Sequence, residues 1–530
     1  MTRSRNQMPP PNPAPTSSQP IPFLPNQSGP TLFHQYSQAG PEPSIEKKFA
    51  KFDPSRYTKP FLNFLQENPT VFHAVRGIGK ELDDNGFKRL SEQDPWELES
   101  GGKYYLERNG SSLISFVVGK DYVPGGGAAI IAGHIDAVTV RVKPIPKLRT
   151  KAGYEQLGVA PYAGGLSSTW WDRDLSIGGR VIVKENGKIT SKLVKLPWPI
   201  AKVPTLAVHF GAPSQGPFNP ETQMVPIIGL DQKSTSEKEG EFQGAKLGGA
   251  GSFAATQPPR LVKAIAGELN ISDYKSIVNW ELELFDCQPA QTGGLDHEFI
   301  FGGRLDDKLC SWAAIQALIN STKSSSVVAN STTTAADKSI KIAALFDDEE
   351  IGSLLRQGAR GNFLPGTITR INVSLKSTSS ANTNLEAANA LTFANSFLVS
   401  ADVTHAVNPN FLDQYLENHA PELNVGITVE ADPNGHTTSD AISTAYLQSV
   451  AEKCGATLQV FQIRNDSRSG GTVGPMLSAA LGCRAVDAGI PQLSMHSIRA
   501  TTGSLDPGLG VQLFQGFYES FEDVNAEFKE

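Results

Sequence analysis

IKIAALFDDEE, residues 340–350, is the stretch on which the fold turns. Its first seven residues are apolar apart from Lys341, and four consecutive acids follow: Asp347, Asp348, Glu349 and Glu350. A short continuous apolar run marks a strand buried on both faces, and such strands belong to parallel sheets covered by helices. The arrangement recurs three times. AAIIA at 128–132 leads into Gly133-His134-Ile135-Asp136, SFLVS at 396–400 into Ala401-Asp402, and IPQLS at 490–494 into Met495-His496. Ligands of open parallel sheets gather beyond the carboxyl ends of the strands. Four runs that each end on a His or an acid therefore predict one site drawn from distant segments. The fold class expected is α/β: a mostly parallel central sheet with flanking helices.

Four adjacent acids repel one another unless some stay protonated or a cation neutralises them. A solvated acidic loop would account for 347–350 alone. His134, Asp306 and Asp402, at equivalent strand-end or helix-start positions, shift the reading toward a cation site. Asp136 lies two residues beyond His134, facing the same way in extended chain. Its carboxylate can there accept the free imidazole N–H and fix the tautomer that ligates metal. Asp306 precedes a helical run at 309–319, so it or Asp307 can also cap that helix. Mixed His and carboxylate donors without Cys suit catalytic zinc, or manganese or cobalt, rather than a closed structural site. Two ions sharing one carboxylate can activate water, and a free Glu beside them can take its proton. Rival chemistries leave little trace: no H-E-x-x-H, no G-x-S-x-G and no Walker loop is present. GGTVG at 470–474 reads equally as a phosphate loop or a plain turn.

Around these motifs the 530 residues divide unevenly. Residues 1–44 are rich in Pro, Ser, Gln and Asn, a composition expected to stay disordered, with a short apolar patch at 31–36. Folded sequence is expected from 45 to 140 and again from 298 to 530. Between them, 141–297 is rich in Pro and Gly with short alternating stretches, which predicts an inserted β-rich domain. Residues 320–338 and 374–385 read as surface loops. A net charge of -7 without a long Lys/Arg run argues against nucleic acid or an anionic membrane as partner. The four cysteines are scattered, as suits a reducing compartment. No apolar stretch reaches the ~18 residues of a membrane span, and the N-terminal stretch carries no apolar signal-peptide core, so synthesis in the cytosol is expected.

Eight motifs, in order, resemble the aspartyl aminopeptidase family of dinuclear zinc metallopeptidases, which includes vacuolar members. They are AGHIDAVTVRVKP, WWDRDLSIGGR, GGRLDDKLCS, FDDEEIGS, SADVTHAVNPNF, GITVEADPNGH, NDSRSGGTVGP and QLSMHSIRATTG. The resemblance implies a metal-dependent aminopeptidase with two zinc ions. His134 and Asp402 would hold one, Glu350 and His496 the other, and Asp306 would bridge them. Asp136 and Glu349 would complete the catalytic set, Asp136 supporting the site and Glu349 acting as general base. It further implies that the inserted domain serves dimerisation, that dimers build a dodecamer, and that an autophagy receptor is a possible partner. The location would be the vacuole or the cytoplasm. Among substrate-binding positions, His209 would reach a neighbouring subunit's site and His405 would contact substrate. Two positions depart from the family. Glu430 stands where aspartyl aminopeptidases carry a Lys for the acidic substrate side chain, and Thr437 replaces a Tyr. A carboxylate at Glu430 predicts neutral, Leu-like N-terminal residues as substrates. Strict aspartyl specificity, or a self-assembling cargo or scaffold with secondary activity, are the alternatives.

Overall fold

The structure, a computed structural model, describes residues 52–231, 247–323, 326–328, 337–376 and 384–528. The Pro-rich segment 1–44 lies outside the described residues, as do much of 320–338 and 374–385.

Three adjacent central strands of a nine-stranded sheet carry three of the four apolar runs. In spatial order the sheet reads Lys88–Leu90, Lys103–Arg108, Ser112–Val118, Ile340–Phe346, Ala128–His134, Phe397–Ser400, Arg484–Gly489, Ile427–Glu430 and Leu458–Phe461. Five of its eight pairings are parallel and three antiparallel. The sheet is thus mixed, with a parallel centre. Alternate residues of each central strand enter different cores. Ala129, Ile131, Ala343, Leu345 and Val399 pack with the helices Leu305–Asn320 and Asp506–Glu527. Ala128, Ile130, Ile342, Ala344 and Leu398 pack with Phe363–Lys376 and Val473–Leu481. Burying a Leu, Ile or Phe fully contributes roughly 1.5–3 kcal/mol, so neither face can be polar, and the unbroken runs follow.

Register brings the strand ends level. Phe346 lies opposite His134 and Ser400 opposite Ala132, so the acids of 347–350 and Asp402 emerge beside His134. The fourth run departs from expectation. The central strand is Arg484–Gly489, whereas only Pro491–Gln492 of 490–494 is extended, and it pairs with Thr404–His405. Pro491 has no N–H for a central ladder, and Gly489 packs so tightly on the Asp402 carbonyl that no side chain fits there. His496 therefore arrives on a loop rather than directly from a strand.

A second, antiparallel sheet of six strands runs from Thr139 to Leu230 and Ile277 to Asp286, in the order Lys188–Lys195, Leu175–Glu185, Ile277–Asp286, Thr139–Lys147, Tyr154–Tyr162, Ile227–Leu230. It has its own buried cluster, including Trp170, Val181 and Leu282, to which helix Pro259–Glu268 adds Leu261, Val262 and Ile265. No described helix is long and apolar enough to cross a membrane.

Candidate active site

The strand-end residues converge. His134 Nε2 lies 3.2 Å from Asp306 Oδ1 and 3.4 Å from Asp402 Oδ1. His496 Nε2 lies 3.4 Å from Asp306 Oδ2 and 3.5 Å from Glu350 Oε2. Asp306 thus turns one oxygen to each histidine. Glu349 Oε2 is 3.9 Å from His134 Nε2. All five expected ligands and the expected base meet in one place.

Local structure explains each placement. Regular helix begins only after Asp307, because both Asp306 and Asp307 have non-helical backbone angles. Asp307 caps the helix, its Oδ1 accepting from the Cys310 N–H at 3.3 Å, while Oδ2 accepts from the His134 N–H at 3.4 Å. Its ligand atoms lie near those of His134 and Asp402, but both oxygens already hold backbone donors. The two adjacent acids therefore divide the roles that the sequence left open: Asp307 caps and Asp306 faces the cluster. Asp348 takes a left-handed conformation (φ 62°) before the turn Glu349–Ile351 and swings both glutamates back over the sheet. Glu350 Oε1 accepts from the Val138 N–H at 3.2 Å, leaving Oε2 for His496. His496 also has positive φ (61°).

Charge is heavily unbalanced here. Burial, and then neighbouring carboxylates, push the Glu349 carboxyl up to about 8 and that of Glu350 to about 9. Burial opposes protonation of His134, but Asp402, Asp136 and Asp306 outweigh it and raise its pKa well above the ordinary range. So many acids cannot all ionise without a cation. The spacing fits one as well: four donors at zinc's ligand distance of about 2.0–2.1 Å stand about 3.3 Å apart on a tetrahedron, close to the separations at both histidines. Two imidazoles with carboxylates and no thiolate is the donor set of a catalytic zinc site. A narrow cleft opens beside Asp306, Glu350 and His496, walled by Trp170, Phe285 and Ile498.

The substrate positions are less uniform. Glu430 ends its strand with the carboxyl pushed well above the usual range by burial, then by Asp487 and Asp402. Thr437 is buried, and its hydroxyl has no hydrogen-bond partner among the described residues. The His405 ring packs 5.5 Å from that of Phe461 and feels the charges of Asp306 and His496. His209 lies in the exposed turn Val208–Phe210 and makes no hydrogen bond or ion pair with the cluster in its own chain among the described residues. GGTVG is a helix start, in which the Thr472 hydroxyl accepts from the Gly474 N–H.

Sequence reasoning passed over two supporting residues. Asp487 accepts from the hydroxyls of Thr438 and Thr472, tying the segment after Thr437 to that helix start. Tyr162, from the second sheet, donates to Asp136 at 2.7 Å. An Asp within an apolar strand was a readable signal for the first; nothing local marked the second.

A mixed sheet with two His–carboxylate groups at its carboxyl edge defines the class, a metal-dependent hydrolase. The aminopeptidase I zinc metalloprotease (M18) family model matches residues 64–518. Vacuolar aminopeptidase 1 of Saccharomyces cerevisiae is 42% identical over 89% of each chain. Aspartyl aminopeptidase of Aspergillus oryzae is 40% identical over 88% of this chain and 96% of its own. The Chaetomium thermophilum mApe1 structure superposes with a TM-score of 0.80 at 52% identity, covering 90% of this chain and all of that one. Among further similar structures, one is described as a yeast mApe1 dodecamer (37% identity, TM-score 0.75, 90% and 99% covered) and another as an Ape4 and Nbr1 complex (34%, 0.82, 91% and 90%). The chain belongs to the M18 family of zinc aminopeptidases.

Proposed function

We propose that this aminopeptidase removes neutral, Leu-like residues from unblocked peptide N-termini, with His134, Asp402, Asp306, Glu350 and His496 holding two zinc ions and Glu349 as general base. The observation that carries the reading is Asp306, whose two oxygens each face a different histidine, with Glu349 alongside. When bound, two such cations polarise a carbonyl and acidify water. Glu349 accepts the proton of the attacking water and returns it to the departing amine nitrogen. A carboxylate beside the ligands, 3.9 Å from His134 Nε2, stands where it can serve both halves of that transfer. The surrounding carboxylates attract a free α-ammonium group, which selects chain ends. Asp136 keeps His134 in the tautomer that presents Nε2.

Glu430 sets the side-chain preference. Half-buried beside Asp487 and Asp402, it crowds the position with a third carboxyl group, which accepts a neutral or basic side chain but disfavours a further carboxylate from the substrate. Hydrolysis of Leu-, Lys- and Asp-anilides tests this: Leu should be cleaved fastest, and a clear preference for Asp defeats the assignment. Parallel digestion of one unblocked and one N-acetylated peptide tests the aminopeptidase action, since only the unblocked one should be shortened.

The dodecamer described for the yeast relative supports the same assembly here, built from dimers through the second sheet. In that assembly the exposed His209 serves a neighbouring subunit's site. The vacuolar relative and the Nbr1 complex of another supports delivery to the vacuole through an autophagy receptor.

A further inference from the structure

Asp136 is 1% exposed, and four donors surround its carboxylate. Oδ1 lies 3.3 Å from His134 Nδ1 and accepts from the Glu349 N–H at 3.3 Å. Oδ2 accepts from the Glu350 N–H at 3.3 Å and from the Tyr162 hydroxyl at 2.7 Å. A carboxylate offers about four lone-pair sites; three take hydrogen bonds and the His134 Nδ1 contact lies against the fourth. Three of the donors belong to the residues that Asp136 orients. The fourth comes from elsewhere: Tyr162 is the last residue of strand Tyr154–Tyr162 in the second sheet, and it is 5% exposed. Its hydroxyl also reaches Asp348 Oδ1 at 3.3 Å, next to the turn carrying Glu349 and Glu350. Its ring is held by the Arg141 guanidinium, 3.9 Å from the centroid, and Arg141 sits 3.7 Å from Glu283 of the same sheet.

We propose that Tyr162 is a positioning residue for the metal centre: its hydroxyl locks the plane of the Asp136 carboxylate, and so aligns His134 and the Glu349–Glu350 backbone. The second sheet thereby controls the geometry of a site that lies on the first. Without the hydroxyl, Oδ2 keeps only the longer bond from the Glu350 N–H, so the carboxylate is held less firmly and the imidazole's partner is less well fixed. The proposal rests on the two-metal reading given above.

Tyr162→Phe keeps the ring and its contact with Arg141 while removing one O–H. Zinc competition against a chromophoric chelator should give an affinity up to about tenfold weaker than wild type, the low end of the loss for a partner behind a ligand, because Tyr162 acts through Asp136. At saturating zinc, kcat should fall several-fold with KM nearly unchanged, since the substrate's own contacts remain. In an Asp136→Asn background the same change should add little, because its target has gone. Tyr154→Phe, at an exposed position on the same strand, should alter none of these. Wild-type zinc affinity and kcat in Tyr162→Phe overturn the proposal, as does full additivity with Asp136→Asn. An equal drop in melting temperature for the metal-free and zinc-loaded variant also overturns it, since that marks simple packing. A wild-type chain that binds no zinc instead overturns the metal reading, and this proposal with it.

Discussion

The two halves of the cluster are built differently. His134 is closed in, its side chain 2% exposed, with Asp136 behind it and the Asp307 carboxylate holding its backbone N–H. His496 has a side chain 56% exposed and sits on a loop at positive φ. Among the described residues no carboxylate stands behind it as Asp136 stands behind His134. Burial and a filled outer layer fix a ligand, whereas an exposed loop lets it leave. One half should therefore act as a permanent seat and the other as an exchangeable one.

The largest effect should come from the expected base, which stands beside the rigid half. Glu349→Gln is expected to lower kcat by about 10²–10⁴-fold with zinc content and melting temperature unchanged. Wild-type turnover in that variant would remove Glu349 from the mechanism. Next, elemental analysis of alanine variants should separate the halves: His496→Ala retains about one zinc per chain, while His134→Ala retains little. Equal retention in both would erase the asymmetry.

pH sharpens the same contrast. With Glu349 at about 8 and Glu350 at about 9 against an ordinary 4.5, the folded metal-free chain holds protons that the unfolded chain has already released. Folding then takes up protons, so stability falls as pH rises from about 5 to about 8. The raised His134 acts in the same direction. Zinc keeps these groups ionised and removes the slope. Melting temperatures at several pH values should show the gap between zinc-loaded and chelated protein widening upward, and a constant gap would refute this. The smallest effect is expected at Asp307. Asp307→Asn should cost about 1–2 kcal/mol, the range for a cap and a buried hydrogen bond, and leave zinc stoichiometry intact. Loss of a metal would mean that Asp307, not Asp306, is the shared ligand.

Legibility followed the range of the forces involved. The buried strands could be read because hydrophobic burial imprints a continuous run on neighbouring residues, as in 128–132 and 340–346. The run at 490–494 misled: Ile490 is buried but Leu493 only partly so, and Pro491 and Gly489 move the strand upstream to Arg484–Gly489. Residue chemistry alone left Asp306 and Asp307 open, since each is fit to cap or to face the cluster; the family resemblance pointed to Asp306, and backbone angles place it toward the cluster. Tyr162 was invisible, since its importance lies wholly in a contact 26 residues away across two sheets. His209 was named from resemblance, and its surroundings in a single chain say nothing of a partner.

His134 and Asp306 are 172 residues apart in the chain, yet their side chains touch. Such a contact closes late, after nearer pairings have reduced the entropy of the intervening loop. The cluster thus assembles only in a chain whose central sheet and inserted segment are both in place. A truncated or half-folded molecule presents scattered acids with no capacity to cut its neighbours. For an aminopeptidase, such long-range closure would act as a safeguard during synthesis.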